Sequence, residues 1–431
     1  MSSQSSFPPA FLEILPNVRS LTISINESPE RLPVEKLKFQ EKSISYTPNE
    51  QDPPQILSLP VSIDPRSATT TVKSENVDLK FSLRSSLDDY KSRSATDPGA
   101  AIKAFQGLTQ IHCQTCKTAF LPTSSPDEAS EQAHHFRRII DMPSEYWHEL
   151  TDCWACHRED YSQLPGQKAG VILAQRHAVL VARSYVVLHP EDVDLPRLSV
   201  DLAGANKGSL RLGRYAPALC ASCQQPVGEC YFDEIPQDAT NIAEHIRGVK
   251  LFRYWVDFVV ADTASSPLTT EKDALNRTFV SFFADDLLES ADAHASYRFI
   301  IQTQGSDEPR LLLWILNWNM AVSTNTPVHD ILDPTMDATS LERVLSIYTQ
   351  NLGHSEKMHP AMKILYLDCS QSVTSAQESI VTSWRGNGQV ESISLHPSLH
   401  DQVLTALRVS TAYLPPAKRD LNGFKVGFIL R

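Results

Sequence analysis

The sequence predicts an α+β chain that is rich in β-strands. Short runs of alternating apolar and polar residues fill 11–85, two Cys-x-x-Cys pairs stand in the middle, and the last third mixes strand-like with helix-like runs. We therefore expect three parts: an N-terminal antiparallel sheet or sandwich over 1–108, a cysteine-knuckle region over 109–235, and a C-terminal α+β domain over 236–431.

Strand-length runs define the N-terminal part. They are separated by Pro, Asn, Asp and Ser, and no helical period persists across them. The predicted strands are 20–26, 37–46, 55–63 and 71–83. Within the first of them, Leu21, Ile23 and Ile25 alternate with polar residues, which is typical of a strand with one buried face in an antiparallel sheet.

Strands and helices alternate in the C-terminal part. Apolar residues recur at helical spacing in three segments, 271–291, 336–352 and 398–413. The predicted strands are 249–260, 297–303, 311–318, 362–368 and 424–430. This mixture of element types is the basis for the α+β prediction.

Charge and hydropathy exclude several classes of protein. The formal net charge is −12, whereas nucleic-acid-binding domains usually carry a basic patch, so we expect no direct contact with nucleic acid. No run reaches the roughly 18 apolar residues of a membrane span, and the N-terminal residues lack the pattern of a secretory signal. We therefore expect a nuclear and cytoplasmic protein, with no membrane contact, whose eight cysteines stay reduced.

The two Cys-x-x-Cys pairs predict a metal site. Such a turn lets two thiolates reach one ion, and two turns complete the tetrahedral four-thiolate site that zinc prefers. Cys113 and Cys116 form one turn and Cys220 and Cys223 the other, so one structural zinc ion would make 109–235 a zinc-knuckle region. The alternatives are two unrelated cysteine pairs, or redox chemistry at one pair.

A stretch with two tryptophans and a Cys-His pair lies between the knuckles, at residues 142–160. A Pro near its start and the helical spacing of its apolar residues predict a helix. The candidate binding residues are Pro143, Trp147, Leu150, Trp154, Cys156 and His157. Three interpretations remain open: a core helix with buried thiols, a second zinc site that uses Cys153 and Cys156, or a segment that offers a ligand to the metal of another protein.

Most patterns of catalytic residues are absent from the sequence. It contains no phosphate-binding loop, no dinucleotide fingerprint, no serine nucleophile elbow and no His-Glu-x-x-His pair. Cys369 follows a predicted strand and is the candidate nucleophile that remains. A thiol at a strand end is more often inert packing, which is the alternative interpretation.

Six blocks of the sequence together resemble one known family. They are Cys113/Cys116, 143–147, 154–157, Cys220/Cys223, 312–317 and 362–366. In this order they resemble the HECT-like ubiquitin ligases, whose animal member is named for binding a ubiquitin-conjugating enzyme and whose fungal members are linked to mRNA cleavage and polyadenylation. The resemblance covers roughly residues 110–430.

The first function that this resemblance implies is ubiquitin transfer. A HECT-like ligase accepts ubiquitin from a ubiquitin-conjugating enzyme as a thioester on a cysteine, and Cys369 is the late cysteine available for it. HECT domains carry this cysteine in a Thr-Cys motif near the C-terminus, whereas Cys369 follows Asp368.

The second implied function is binding to the zinc-dependent endonuclease, of metallo-β-lactamase type, that cleaves pre-mRNA before polyadenylation. We expect residues 142–160 to enter its active site, with Trp147 and Trp154 as aromatic anchors and Cys156 as a ligand to a partner zinc. Such binding would inhibit or chaperone the endonuclease. We favour this function from the sequence and keep the ubiquitin ligase as the alternative.

Overall fold

The computed structural model describes most of the chain. The described residues are 7–49, 51–83, 102–122, 136–142, 172–205, 214–236, 241–261, 275, 277–304, 306–327, 348, 352, 357–370 and 374–431. By their contacts the residues form two compact units. Unit 1 combines 1–94 with 279–431, and unit 2 consists of 95–278.

The strands and helices are numbered in chain order. The N-terminal part of unit 1 contains β1 (Ala10–Leu15), β2 (Ser20–Ile25), β3 (Leu37–Gln40), β4 (Ser43–Tyr46), β5 (Gln55–Ser58), β6 (Thr69–Val72) and β7 (Val77–Ser82). Unit 2 contains β8 (Leu108–Cys113), β9 (Arg138–Asp141), β10 (Ala178–Val181), β11 (Tyr185–Leu188), β12 (Leu198–Val200), β13 (Arg214–Cys220), β14 (Pro226–Phe232), the short helix α1 (Ile242–His245), β15 (Ile246–Phe252) and β16 (Val256–Val260).

The C-terminal part of unit 1 adds the longer helices. It contains α2 (Phe279–His294), β17 (Arg298–Thr303), β18 (Pro309–Thr324), β19 (His359–Asp368), α3 (Ser375–Arg385), β20 (Glu391–Leu395), α4 (Pro397–Tyr413), β21 (Asp420–Leu421) and β22 (Phe424–Leu430). These elements confirm the predicted α+β, β-rich fold. No helix among the described residues has the length and apolar content needed to cross a membrane.

A ten-stranded sheet forms the centre of unit 1. Its described strands run in the order β21-β22-β19-β18-β1-β2-β7-β6, and β17 pairs with both β18 and β20. The 16-residue strand β18 is long enough to pair with β17 near its start and with β1 near its end. The two ends of the chain therefore share one sheet, whereas the sequence prediction placed them in separate parts, 1–108 and 236–431.

The N-terminal strands also form one side of a sandwich. The separate sheet β3-β4-β5 packs on β1, β2 and β7, and the buried side chains of both layers form one core. Leu12, Ile23 and Phe81 come from the large sheet, and Ile44 and Leu57 from the small one. This arrangement confirms the antiparallel sandwich, because alternate residues of each strand face the same apolar layer.

Helix α4 packs directly on β22 in unit 1. Its apolar face is buried, and Gly427 of β22 is the point of close approach. A Cβ atom at Gly427 would lie 2.9 Å from Ser410 Oγ and 3.0 Å from the Leu407 carbonyl oxygen. The Ser410 hydroxyl also accepts a 2.8 Å hydrogen bond from the Phe428 amide. The glycine therefore sets how closely helix and strand can pack.

Unit 2 is built on a seven-stranded sheet and a two-stranded ribbon. The sheet has the order β12-β13-β14-β15-β11-β10-β9, and the ribbon pairs β8 with β16. Phe105, Phe120 and Leu251 belong to the core that both share. This core matters for the site because β8 and β13 each end in a buried cysteine of it, Cys113 and Cys220 respectively.

Strands β15 and β16 correct one detail of the sequence prediction. A single strand over 249–260 is wrong, because the chain turns at 253–255, where the Trp255 amide donates to the Phe252 carbonyl at 3.0 Å. The two strands then join different sheets. Trp255 is buried inside the turn, so the apolar pattern continues through it and hides the break.

Candidate functional site

The first cysteine turn follows β8. The Cys113 amide donates to the Thr118 carbonyl at 2.8 Å, and the Lys117 amide donates to the Cys113 carbonyl at 2.9 Å. Lys117 has a left-handed backbone, with φ of 59°. These bonds reverse the chain within a few residues, so that Cys113 and Cys116 point to the same side.

The second turn repeats this geometry between β13 and β14. The Cys220 amide donates to the Gln225 carbonyl at 2.8 Å, and the Gln224 amide donates to the Cys220 carbonyl at 2.8 Å. Gln224 is left-handed, with φ of 60°, and stands four residues after the first cysteine, as Lys117 does. Neither residue is the glycine that usually marks such a backbone, so the sequence does not predict these left-handed positions.

The two turns bring the four predicted cysteines together. All four Sγ atoms lie within 4.8 Å of one another. Two of these distances join the two turns: Cys113 Sγ lies 3.6 Å from Cys223 Sγ, and Cys116 Sγ lies 3.4 Å from Cys220 Sγ. A tetrahedral ion with metal–sulfur bonds of about 2.3 Å requires sulfurs about 3.8 Å apart. The cluster can therefore hold a metal ion, and its donors are compatible with zinc.

Three of the four thiols have shifted pKa values. Burial raises the pKa of the Cys113 thiol to about 12, partly offset by the backbone N–H groups of Cys116 and Thr115. Burial also raises the pKa of the Cys223 thiol. The Thr118 hydroxyl, by hydrogen bonding, lowers the pKa of the exposed Cys116 thiol to about 6. Four thiolates side by side need a compensating charge, which a divalent cation supplies.

Polar contacts join the two turns around the sulfur atoms. The Thr118 hydroxyl lies within hydrogen-bond distance of the Ser222 hydroxyl, at 3.0 Å, and of Cys116 Sγ, at 3.1 Å. On the outer side, Lys117 pairs with Asp257 of β16 at 2.5 Å. The first contact joins the two turns, the ion pair joins the first turn to β16, and Cys116 remains exposed.

Cys369, the predicted nucleophile, lies just after β19 and far in sequence from the cluster. Its Sγ is 3.6 Å from the Leu367 carbonyl oxygen, and its side chain is half-buried. Burial, and next the charge of Asp368, raise the pKa of the Cys369 thiol to about 11. The thiol is therefore protonated at neutral pH, which disfavours attack on a thioester.

The predicted binding motif lies outside the described residues. This applies to Pro143, Trp147, Leu150, Trp154, Cys156 and His157 alike. The described strands on either side of it, β9 and β10, are parallel neighbours, with Ile139 opposite Val179.

Comparisons with known proteins identify the family. The profile of the family described as HECT-like ubiquitin-conjugating enzyme (E2)-binding matches residues 13–426. Three similar proteins are named as E3 ubiquitin-protein ligases. The one from Pongo abelii is 22% identical over 336 residues, covering 75% of this chain and 73% of that protein. The one from Mus musculus is 23% identical over 334 residues (75% and 72%), and the one from Homo sapiens 21% over 327 residues (75% and 73%). The chain belongs to the HECT-like, E2-binding family.

Proposed function

We propose that the protein binds a ubiquitin-conjugating enzyme (E2) and promotes transfer of ubiquitin from it. The observation that carries this proposal is the family match, which extends over residues 13–426 and so includes both units. The relatives named as ubiquitin-protein ligases support it, because their alignments cover about three quarters of this chain, at 22% and 23% identity. The alternative function from the sequence analysis thus has more support than the favoured one.

Two chemical routes are available for the transfer. In the first, a cysteine thiolate of the ligase attacks the carbonyl carbon of the E2–ubiquitin thioester, a new thioester forms and the E2 thiol leaves. In the second, the amine of the acceptor lysine attacks the same carbon directly, and the E2 thiol leaves without an intermediate on the ligase. The two routes differ in whether the ligase ever carries ubiquitin.

The described cysteines favour direct transfer. Cys369 and the buried Cys230 have pKa values raised to about 11 and about 12, mainly by burial. The other four described cysteines belong to the cluster and would be ligands to a metal. We therefore propose that the protein positions an E2 charged with ubiquitin, and that its own described thiols do not react.

A single-turnover assay separates the two routes. E2 charged with ubiquitin is mixed with free lysine and the full-length protein, and non-reducing gels follow ubiquitin. Direct transfer predicts that the protein accelerates discharge without a reducible ubiquitin adduct, and that Cys369→Ser acts as wild type does. An adduct that survives in Cys369→Ser but disappears in the double variant Cys153→Ser/Cys156→Ser would assign the thioester route to those cysteines. Absence of any acceleration would refute the proposed activity.

We also propose that the cluster holds one structural zinc ion. The supporting observation is the match of two turns, each with a left-handed residue four positions after its first cysteine. The ion would connect the end of β8 to the hairpin of β13 and β14, and thereby stabilise unit 2. Its role is to hold the fold, since all four positions around the ion are taken by protein sulfur.

Regulation of the polyadenylation endonuclease stays a separate prediction. The cluster found among the described residues has four ligands without Cys156, which is compatible with another role for this residue. A pull-down of the endonuclease from nuclear and cytoplasmic fractions tests both the partner and the predicted localisation. Trp154→Ala and Cys156→Ser should lose the endonuclease and keep the E2, whereas equal recovery by wild type and both variants would refute the role of residues 142–160.

A further inference from the structure

A notch interrupts the large sheet of unit 1 along β18. The first half of β18 pairs with β17 as far as Trp314, opposite Arg298, and the second half pairs with β1 from Ala321, opposite Ile14. Among the described strands none lies opposite residues 316–320 on this side. Within the described part of the chain, five residues in the middle of β18 therefore lack a neighbouring strand on this edge.

The other edge of the same five residues is irregular as well. The pairing of β18 with β19 shifts twice, first between Ile315 and Asn317 and again between Asn317 and Met320. Such bulges change the direction in which side chains point, and they are common next to functional sites. Leu316 and Trp318 are 45% and 46% exposed here, whereas Ile315 and Met320 on either side are buried.

The exposed tryptophan is held in place by its neighbours. Its ring stacks on Tyr297, with 5.5 Å between the centroids and 18° between the planes. The Arg431 guanidinium donates to the Trp318 carbonyl at 3.4 Å. An aromatic side chain that is fixed before binding loses little conformational entropy when a partner covers it.

A second chain segment extends this apolar surface. The Asn319 side chain donates to Asn17 Oδ1 at 3.1 Å, which places the 3-10 turn Pro16–Val18 beside the notch. Val18 at the end of this turn is 64% exposed. We call the surface formed by residues 16–19 and 316–320 the β18 notch.

The chemistry of the β18 notch is that of a protein-binding surface. The β18 notch combines the exposed apolar residues Val18, Leu316 and Trp318 with the side-chain amides of Asn17 and Asn319, and interfaces typically combine apolar and polar groups in this way. The two segments contain one arginine and no carboxylate, although the chain carries a net charge of −12. The partner should therefore present apolar side chains with a neutral or acidic surround.

We propose that the β18 notch docks the ubiquitin-conjugating enzyme, through an apolar surface loop of that enzyme. This inference rests on the proposed function. The family match is to an E2-binding family and includes both segments of the notch. The block 312–317, one of the six that carry the family resemblance, leads directly into the first bulge and ends with Leu316 and Asn317.

The test measures binding of the full-length, zinc-loaded protein to a panel of purified E2 enzymes by calorimetry. Leu316→Asp, Trp318→Ala and Val18→Asp should each weaken binding about tenfold or more, as expected for residues at the centre of an interface. Val72→Asp and Leu421→Asp are matched controls, because these side chains are 50% and 42% exposed elsewhere in unit 1. The controls should change affinity by no more than about twofold.

The outcomes of this test are distinguishable. Zinc content and thermal unfolding establish that each variant is folded, and Val18 provides a variant in a second segment should a β18 variant fail to fold. If wild type binds an E2 and the notch variants bind equally well, the E2 docks elsewhere and this inference is overturned, while the proposed function stands. If wild type binds no E2 of the panel, the docking inference and the proposed function both fail. If sedimentation shows self-association that Trp318→Ala abolishes without an effect on the E2, the occupant is a second copy and the inference is overturned.

Discussion

Cys116 Sγ lies 3.4 Å from Cys220 Sγ, although 104 residues separate them in the chain. An ion bound between them would close a long loop in unit 2 and so restrict the unfolded chain.

Purified protein should contain about one zinc ion per chain. At free zinc a hundredfold above its dissociation constant, the ion adds about 2.7 kcal/mol to the free energy of unfolding, and removal by a chelator should lower stability by at least about that amount. Atomic emission and chemical unfolding measure both quantities. Cys113→Ser should lose the ion, and Cys369→Ser should keep it; a metal-free wild type of unchanged stability would refute the site.

Alkylation of Cys369 should depend steeply on pH. The pKa of this thiol is raised to about 11 by burial and by Asp368, so each pH unit below 11 lowers the thiolate fraction about tenfold. At pH 8 about one thiol in a thousand is ionised. Mass spectrometry of iodoacetamide-treated, zinc-loaded protein should show the modification rate of Cys369 rising from pH 8 to pH 11. A rate already at its plateau at pH 8 would restore Cys369 as a candidate nucleophile.

Gly427→Ala should destabilise unit 1. The added Cβ would lie 2.9 Å from Ser410 Oγ and 3.0 Å from the Leu407 carbonyl oxygen, so helix α4 must move away from β22. We expect a loss of about 1–3 kcal/mol in the free energy of unfolding. Gly388→Ala is the matched control, because nothing lies within 4 Å of a Cβ there, and it should change stability by less than about 0.5 kcal/mol. If urea unfolding shows the same loss of stability for both variants, the close approach of α4 to β22 does not restrict the side chain at position 427.

The stability of the second turn should depend on which residue occupies the left-handed position 224. Gln224 has φ of 60°, a conformation that costs L-residues about 1–2 kcal/mol and β-branched residues more. Gln224→Val should therefore lower the free energy of unfolding and weaken zinc binding, whereas Gln224→Gly should retain both. Competition with a chromogenic chelator measures the affinity. Identical behaviour of the two variants would show that the turn geometry is not needed for the ion.

Local patterns in the sequence account for much of this structure. The predicted strand 424–430 coincides with β22, and helix 398–413 differs from α4 by one residue. The Cys-x-x-Cys spacing predicts the cluster because each pair is a single turn whose geometry depends only on nearby backbone hydrogen bonds. The pairing of the two turns then follows from the count of four ligands.

Other elements could not be found so easily. Helix α3 was missed, although Thr374 and Gln377 form a capping box at its start, because few apolar residues mark a buried face and Trp384 is the buried residue that the structure assigns to it. The pairing of β1 with β18 places Ile14 opposite Ala321. These residues are far apart in the chain, and their local sequences do not predict which strand pairs with which. The β18 notch depends on this pairing and on two bulges, so it was not visible in the sequence.

The position of β1 between β18 and β2 has a consequence for biosynthesis. Strand β1 leaves the ribosome early, yet its partner β18 begins only at Pro309, after the whole of unit 2 has been made. Unit 2 is continuous in sequence, so it can fold as soon as it emerges. The N-terminal strands must wait with one edge of β1 uncovered, and truncated chains that end before residue 309 would expose this edge to aggregation and to chaperones.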